Sequence, residues 1–166
     1  MKVMVFDLIF DVGCYYIERD TIVEKTTFNN RTFYSRFETI KETPTENMIQ
    51  QHLRGEVTLA LPLVKDDRVN YLVLEYEKEE SHRYFHLIKH LLKSIGIETF
   101  YTYESHRKNH VQIFVPREAL PLNEAYQQVE KIKQLLELKS SKRCKLYPDK
   151  NLPKNYNKIT LPLKKM

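Results

Sequence analysis

The run VNYLVLEYE, residues 69–77, constrains the fold most strongly. Its alternation and its β-branched and aromatic content read as a strand. Leu72, Leu74 and Tyr76 fall on one face, and Tyr71, Val73, Glu75 and Glu77 on the other, because successive strand side chains point to opposite sides. The second face therefore begins apolar and ends in two carboxylates. Same-face neighbours stand roughly 6.5–7 Å apart at the backbone, a gap that flexible Glu side chains can close around one divalent ion. Adjacent carboxylates repel, which raises one pKa unless a cation sits between them, and Mg²⁺ or Mn²⁺ favours such oxygen ligands. A solvated strand end explains the same pair. Glu77, Glu79 and Glu80 also suit the start of a following helix through its dipole. On these residues alone both readings stay open.

The remaining elements follow from periodicity and punctuation. MKVMVFDLIF at the N-terminus is apolar but interrupted by Asp7 and followed by Asp11, without a small-residue cleavage site, so it reads as a strand rather than a signal peptide. An irregular aromatic-rich segment runs from there to Lys41. TPTENMIQQHLRG predicts a helix, with Thr43 as cap, Pro44 in its first position, Glu46 closing a capping box and Gly55 as stop. EVTLALPLV (56–64) and the strand at 69–77 flank the turn DDRVN and predict a hairpin. EESHRYFHLIKHLLKSIG is a helix ended by Gly96, with Tyr84, Phe85, Leu87, Ile88, Leu91, Leu92 and Ile95 on one broad face. Strands follow at 97–104 and 110–116, an amphipathic helix at 122–138, and two last strands at 143–148 and 157–163. The pattern predicts one α+β domain over 1–166, a mainly antiparallel sheet in two layers with helices packed on it.

Composition excludes several function classes. The chain has 166 residues, 42% apolar and 30% charged, enough for one domain with a sizeable core. No run approaches a membrane span. Three glycines form no Gly-rich loop, which excludes P-loop and dinucleotide-binding readings. Cys14 and Cys144 lack motif spacing and suit the reduced thiols of a cytoplasmic protein. The net charge of +5 is uneven: residues 131–166 carry +9 and residues 1–130 carry −4. A basic end of this kind attracts a polyanion, or simply solubilises the chain.

Histidines supply two further candidates. His110 shares a strand face with Gln112 and Phe114 and, near two carboxylates, can contact a phosphate or position a substrate. His82, His86 and His90 recur every fourth residue on one helix, opposite its apolar face. That placement points them into water, and no carboxylate pair of the zinc-protease type accompanies them.

The order of motifs over roughly residues 32–164 resembles the catalytic core of the archaeo-eukaryotic primase, or prim-pol, superfamily. His52-Leu53-Arg54-Gly55 stands before a β run. Glu75-Tyr76-Glu77 stands where the family has its metal-binding acids. Glu104-Ser105 precedes a basic turn and His110, and VQIFV follows. Leu146-Tyr147-Pro148 and the closing Asn157-Lys158-Ile159-Thr160-Leu161-Pro162-Leu163 complete the order. Residues 1–31 lie before the resemblance as a strand and an irregular segment.

The resemblance implies a site. Glu75, Glu77 and His110 take the catalytic places, with Glu75 and Glu77 as ligands of Mg²⁺ or Mn²⁺. Ser105, Arg107, Lys108, Lys145, Lys158 and Lys164 would meet nucleotide or phosphate. Both family aspartates are glutamates here, and Lys145 stands in the place of the third acid, with Asp149 past the proline as a doubtful substitute. The turn before His110 lacks the family's glycines, and the helicase or helical extensions of many members are not expected. The expectation is a divergent primase-like domain that binds nucleic acid or nucleotides, with reduced or lost nucleotidyl transfer. An active metal-dependent primase-polymerase is the alternative. A non-catalytic protein-interaction or structural role is the third reading, with its protein partner unknown.

Overall fold

Strand 69–77 lies inside the largest sheet of the computed structural model, which describes residues 2–166. In chain order the strands before the first helix are β1 (Lys2–Val5), β2 (Leu8–Asp11), β3 (Tyr15–Glu18), β4 (Glu24–Phe28), β5 (Arg31–Ser35) and β6 (Phe37–Ile40). Then come α1 (Glu46–Leu53), β7 (Leu59–Pro62), β8 (Val64–Lys65), β9 (Arg68–Glu77) and α2 (Arg83–Ser94). The chain continues through β10 (Tyr101–Glu104), β11 (His110–Pro121), α3 (Leu122–Lys139), β12 (Cys144–Tyr147), β13 (Lys158–Thr160) and β14 (Lys164–Lys165). The architecture is α+β, its pairings are antiparallel, and among the described residues three α-helices accompany four sheets.

The main sheet runs β12-β9-β11-β10-β14, with β8 on β9. Leu72, Leu74 and Tyr76 stand in register with Val115, Ile113 and Val111. This apolar face packs under α2 and α3, where Ile88, Leu91, Leu92, Val129, Ile132 and Leu136 are buried. Tyr84 of α2 meets Tyr76 ring to ring at 5.0 Å. The opposite face is covered at one end by the β1–β2 hairpin, whose Phe10 lies 5.5 Å from Tyr71 and 6.4 Å from Phe114. The second sheet, β13-β7-β3-β6, stands beside it on that side.

His52 joins α1 to the second sheet. It is fully buried, accepts the Leu59 N–H at Nδ1 (3.0 Å) and pairs with the Leu161 carbonyl through Nε2 (2.8 Å). A backbone N–H can only donate, so Nδ1 is the bare nitrogen and Nε2 carries the hydrogen. Gln112, also fully buried, donates from Nε2 to the Thr160 carbonyl at 2.9 Å and ties β11 to β13.

Several expectations change. Residues 56–64 and 69–77 do not form a broad hairpin. β7 pairs with β3 and β13, and only β8 returns to β9, because the chain leaves one sheet for the other near Leu63. The N-terminal segment is a hairpin turning at Phe6 and Asp7, with Phe6 at φ 54. Residues 15–40 contain four strands rather than irregular chain, and β4–β5 turns at Asn29-Asn30, both with positive φ as a tight hairpin turn demands. The cap of α1 is Thr45, which accepts the Met48 N–H at 3.2 Å, while Thr43 donates to the Val12 carbonyl. Gly55 (φ 78) and Gly96 (φ 87) do follow helix ends, in the conformation that favours glycine.

Candidate nucleotide-binding cleft

The sheet register decides which predicted residues meet. Glu75 on β9 stands opposite Gln112 on one side and Lys145 on the other. Glu77 stands opposite His110. These side chains share the face that looks toward the second sheet, since directly paired antiparallel residues project to the same side.

A cleft of about 160 Å³ opens there, between the two sheets. Glu75, Lys145 and Tyr147 line it from the main sheet, Ala60, Ile159 and Thr160 from the second, and His106 and Arg107 from the turn between β10 and β11. Glu18, Phe37, Tyr156 and Lys158 complete the wall. Charged lining groups are thus Arg107, Lys145 and Lys158 against Glu18 and Glu75, and Glu18 already faces Arg36 at 4.0 Å. Burial pushes the Tyr147 hydroxyl up to about 12, with Glu75 adding to the effect, so it stays a neutral donor.

Lys158 has an unusual seat. Its Nζ lies 4.5 Å from the Tyr156 ring centre, 4.8 Å from Tyr16 and 5.3 Å from Phe37, and donates to Ser35 Oγ at 3.1 Å. Burial lowers the Lys158 pKa, opposed by Glu24. The ring faces and the hydroxyl replace the lost water around a retained cation. Lys158→Met is expected to cost about 1–2 kcal/mol in chemical denaturation, by removing that attraction while keeping most of the apolar stem. A variant as stable as the parent would show that the rings hold the stem alone.

The turn itself is built on Ser105. This buried residue donates its N–H to the His110 carbonyl at 3.0 Å, and its hydroxyl accepts the Arg107 N–H at 3.4 Å. Ser105 Oγ also meets His106 Nδ1 at 3.3 Å. Asn109 takes positive φ (61), a conformation that favours glycine. Burial first, and then the charges of Arg107, His52 and His110, push the His106 pKa down to about 4. Unfolded, the ring titrates near its ordinary 6.5. Its contribution is therefore complete above pH ~6.5 and is lost as pH falls toward ~4. The full difference is roughly 3.4 kcal/mol across that window, and because the ring is only half-buried, solvent screening reduces the expected loss to ~2 kcal/mol. Unfolding curves of the protein and of His106→Asn at pH 7 and pH 4.5 check this: the variant's decline should be visibly shallower.

The predicted residues divide. Glu75, Arg107, Lys145 and Lys158 line the cleft. Glu77 is exposed and lies outside the lining, as does His110, whose Nδ1 is within 3.1 Å of the Lys108 carbonyl. Lys108 is exposed on the turn, and Lys164 is exposed on edge strand β14. Asp149 lines an adjoining cavity of about 400 Å³, which shares Lys145 and Tyr147 with the cleft, and its carboxylate accepts the Asn151 N–H at 2.9 Å. Glu79 serves α2, accepting the Tyr84 N–H. His82, His86 and His90 are exposed, as their helix face predicts. Burial pushes the Cys144 thiol up to about 12, fitting an inert role.

The sequence resemblance implies divalent ions, so the donor set matters. Glu75 has an ammonium as its register partner where a third acid would stand, and neither Glu77 nor Asp149 joins it in the cleft lining. Carboxylate oxygens in near-octahedral array are what Mg²⁺ requires, and one main-sheet carboxylate facing fixed cations does not fit that requirement. His106, Glu18 and the rings of Tyr16, Phe37 and Tyr156 were not singled out from sequence, while Tyr147 was marked only as part of Leu146-Tyr147-Pro148. His106 was overshadowed by His110, which directly precedes an apolar strand.

Comparison with known proteins bears on the fold. A family model described as a domain of unknown function (DUF1882) matches residues 1–70. No curated protein matches. Among solved structures the chain is similar to the polymerase domain of Mycobacterium tuberculosis ligase D, in complex with DNA, with 12% identity and a TM-score of 0.51. That match covers 90% of this chain and 67% of the other. The likeness is one of fold, to that polymerase domain. No helix among the described residues is long and apolar enough to cross a membrane.

Proposed function

We propose that this chain is a divergent primase-polymerase-fold domain that binds nucleic acid or nucleotides in the inter-sheet cleft, with nucleotidyl transfer reduced or lost. The observation that carries the reading is the lining itself: Arg107, Lys145 and Lys158 with the rings of Tyr147, Tyr156 and Phe37. Fixed cations attract phosphate, and the Phe37 and Tyr156 rings seat one of those cations, Lys158. The fold likeness is to a polymerase domain whose structure was determined with DNA, which supports the ligand class. Lys145 opposite Glu75 argues against full catalytic competence, because a polymerase needs clustered acids for its ions.

Binding of labelled single- and double-stranded DNA and RNA over a salt series tests the reading. Affinity that falls steeply with salt is the expected result. No binding at low salt would overturn it and leave a protein-interaction or structural role. Nucleotide incorporation on primed and unprimed templates with Mg²⁺ or Mn²⁺ is expected to be weak or nil. Robust incorporation would return the active primase-polymerase reading, with Glu75 and Glu77 as ligands and His110 at the phosphates.

A further inference from the structure

We propose that the cleft holds its phosphate ester without a divalent ion, the Lys145 ammonium standing beside Glu75 where an ion would otherwise bridge protein and phosphate. This rests on the nucleotide- or nucleic-acid-binding reading and specifies how that site works. Three placements carry it. Lys145 is the direct register neighbour of Glu75 on β12 and lines the same cleft. Arg107 and Lys158 line it too, so three basic side chains surround a space of about 160 Å³, the size for a phosphate group or two rather than a whole nucleotide. The other acids are poorly placed to complete an ion's shell with Glu75: Glu18 lines the cleft from the second sheet and faces Arg36 at 4.0 Å, Glu77 is exposed outside the lining, and Asp149 lines an adjoining cavity, engaged with the Asn151 N–H.

The physical consequence is a sign reversal at Glu75. In an ion-bridged site a carboxylate strengthens phosphate binding, because it holds the cation that the phosphate needs. In a site of fixed ammonium and guanidinium groups the same carboxylate repels the phosphate and competes for Lys145. Removing the Glu75 charge should therefore tighten binding. Removing the Lys145 charge should weaken it, whether or not metal is present.

The probes are a labelled single-stranded oligonucleotide and, separately, ATP, each titrated in EDTA, in Mg²⁺ and in Mn²⁺ at constant ionic strength. The expected result is affinity in EDTA at least equal to that in Mg²⁺ or Mn²⁺, since those ions compete for the phosphate, with several-fold tighter binding by Glu75→Gln and several-fold weaker binding by Lys145→Gln. Oligonucleotide binding without ATP binding assigns the phosphate to a strand; the reverse assigns it to a free nucleotide, and both support the proposal. Binding that appears only with metal, or that Glu75→Gln abolishes while the variant's unfolding curve is unchanged, overturns the proposal and leaves the binding reading intact. No binding of either probe under any condition overturns both.

Discussion

Replacing His52 with alanine is expected to destabilise the domain by about 4 kcal/mol. The imidazole is fully buried and holds two backbone groups from different elements, the Leu59 N–H and the Leu161 carbonyl. Neither group has water to fall back on, and each orphaned partner costs about 1–3 kcal/mol. The vacated volume adds a cavity term. His52→Gln should recover part of the loss by keeping one of the two bonds. Protonation attacks the same contact, since a charged ring cannot accept at Nδ1. Burial accordingly holds the His52 pKa below 6.5, despite the pull of nearby carbonyls. Its stabilisation is present above pH ~6.5 and fades below it. Urea unfolding at pH 7.5 checks the substitution, and a loss under ~1 kcal/mol would mean that the two backbone groups find other partners.

His52 also shows what sequence can convey. The His-Leu-x-Gly order marked the residue, and Gly55 placed the end of its helix, but the role of the ring depended on β7 and on Leu161, 109 residues away. The helices were legible because their apolar stripes repeat locally, and β9 was legible because its faces separate within nine residues. The hairpin at 56–77 was misread for the opposite reason. Two apolar runs flanking a polar turn look alike whether they pair with each other or belong to different sheets, and the switch near Leu63 has no local mark. The strands of 15–40 were obscured by their short length and mixed burial. In the cleft, Glu75, Arg107, Lys145 and Lys158 were readable one by one through motif order, whereas Glu18 lies in the segment read as irregular. The ring seat of Lys158 was not, because Tyr16, Phe37 and Tyr156 converge only after β3, β6 and the segment before β13 are assembled.

The Arg107→Ala/Lys145→Ala double variant is expected to lose at least 10-fold in affinity for a single-stranded oligonucleotide at low salt. Its log–log salt slope should be shallower by about 1.4, from two phosphate contacts at roughly 0.7 each. The competing source of attraction is the basic C-terminal third, where exposed Lys164 and Lys165 lie on edge strand β14. Lys165 already pairs with Asp7 at 2.8 Å, and that ammonium helps hold the Asp7 carboxyl below its usual range. Lys164→Ala/Lys165→Ala removes the same formal charge from the surface without touching the cleft lining. Long-range attraction depends on the net charge removed, whereas counterion release depends on which cations touch phosphate. The two double variants have equal net charge, so only contact separates them. A cleft site predicts a slope change in the first and almost none in the second. Equal changes in both would assign binding to diffuse surface charge, and a larger change in the second would move the interface to β14.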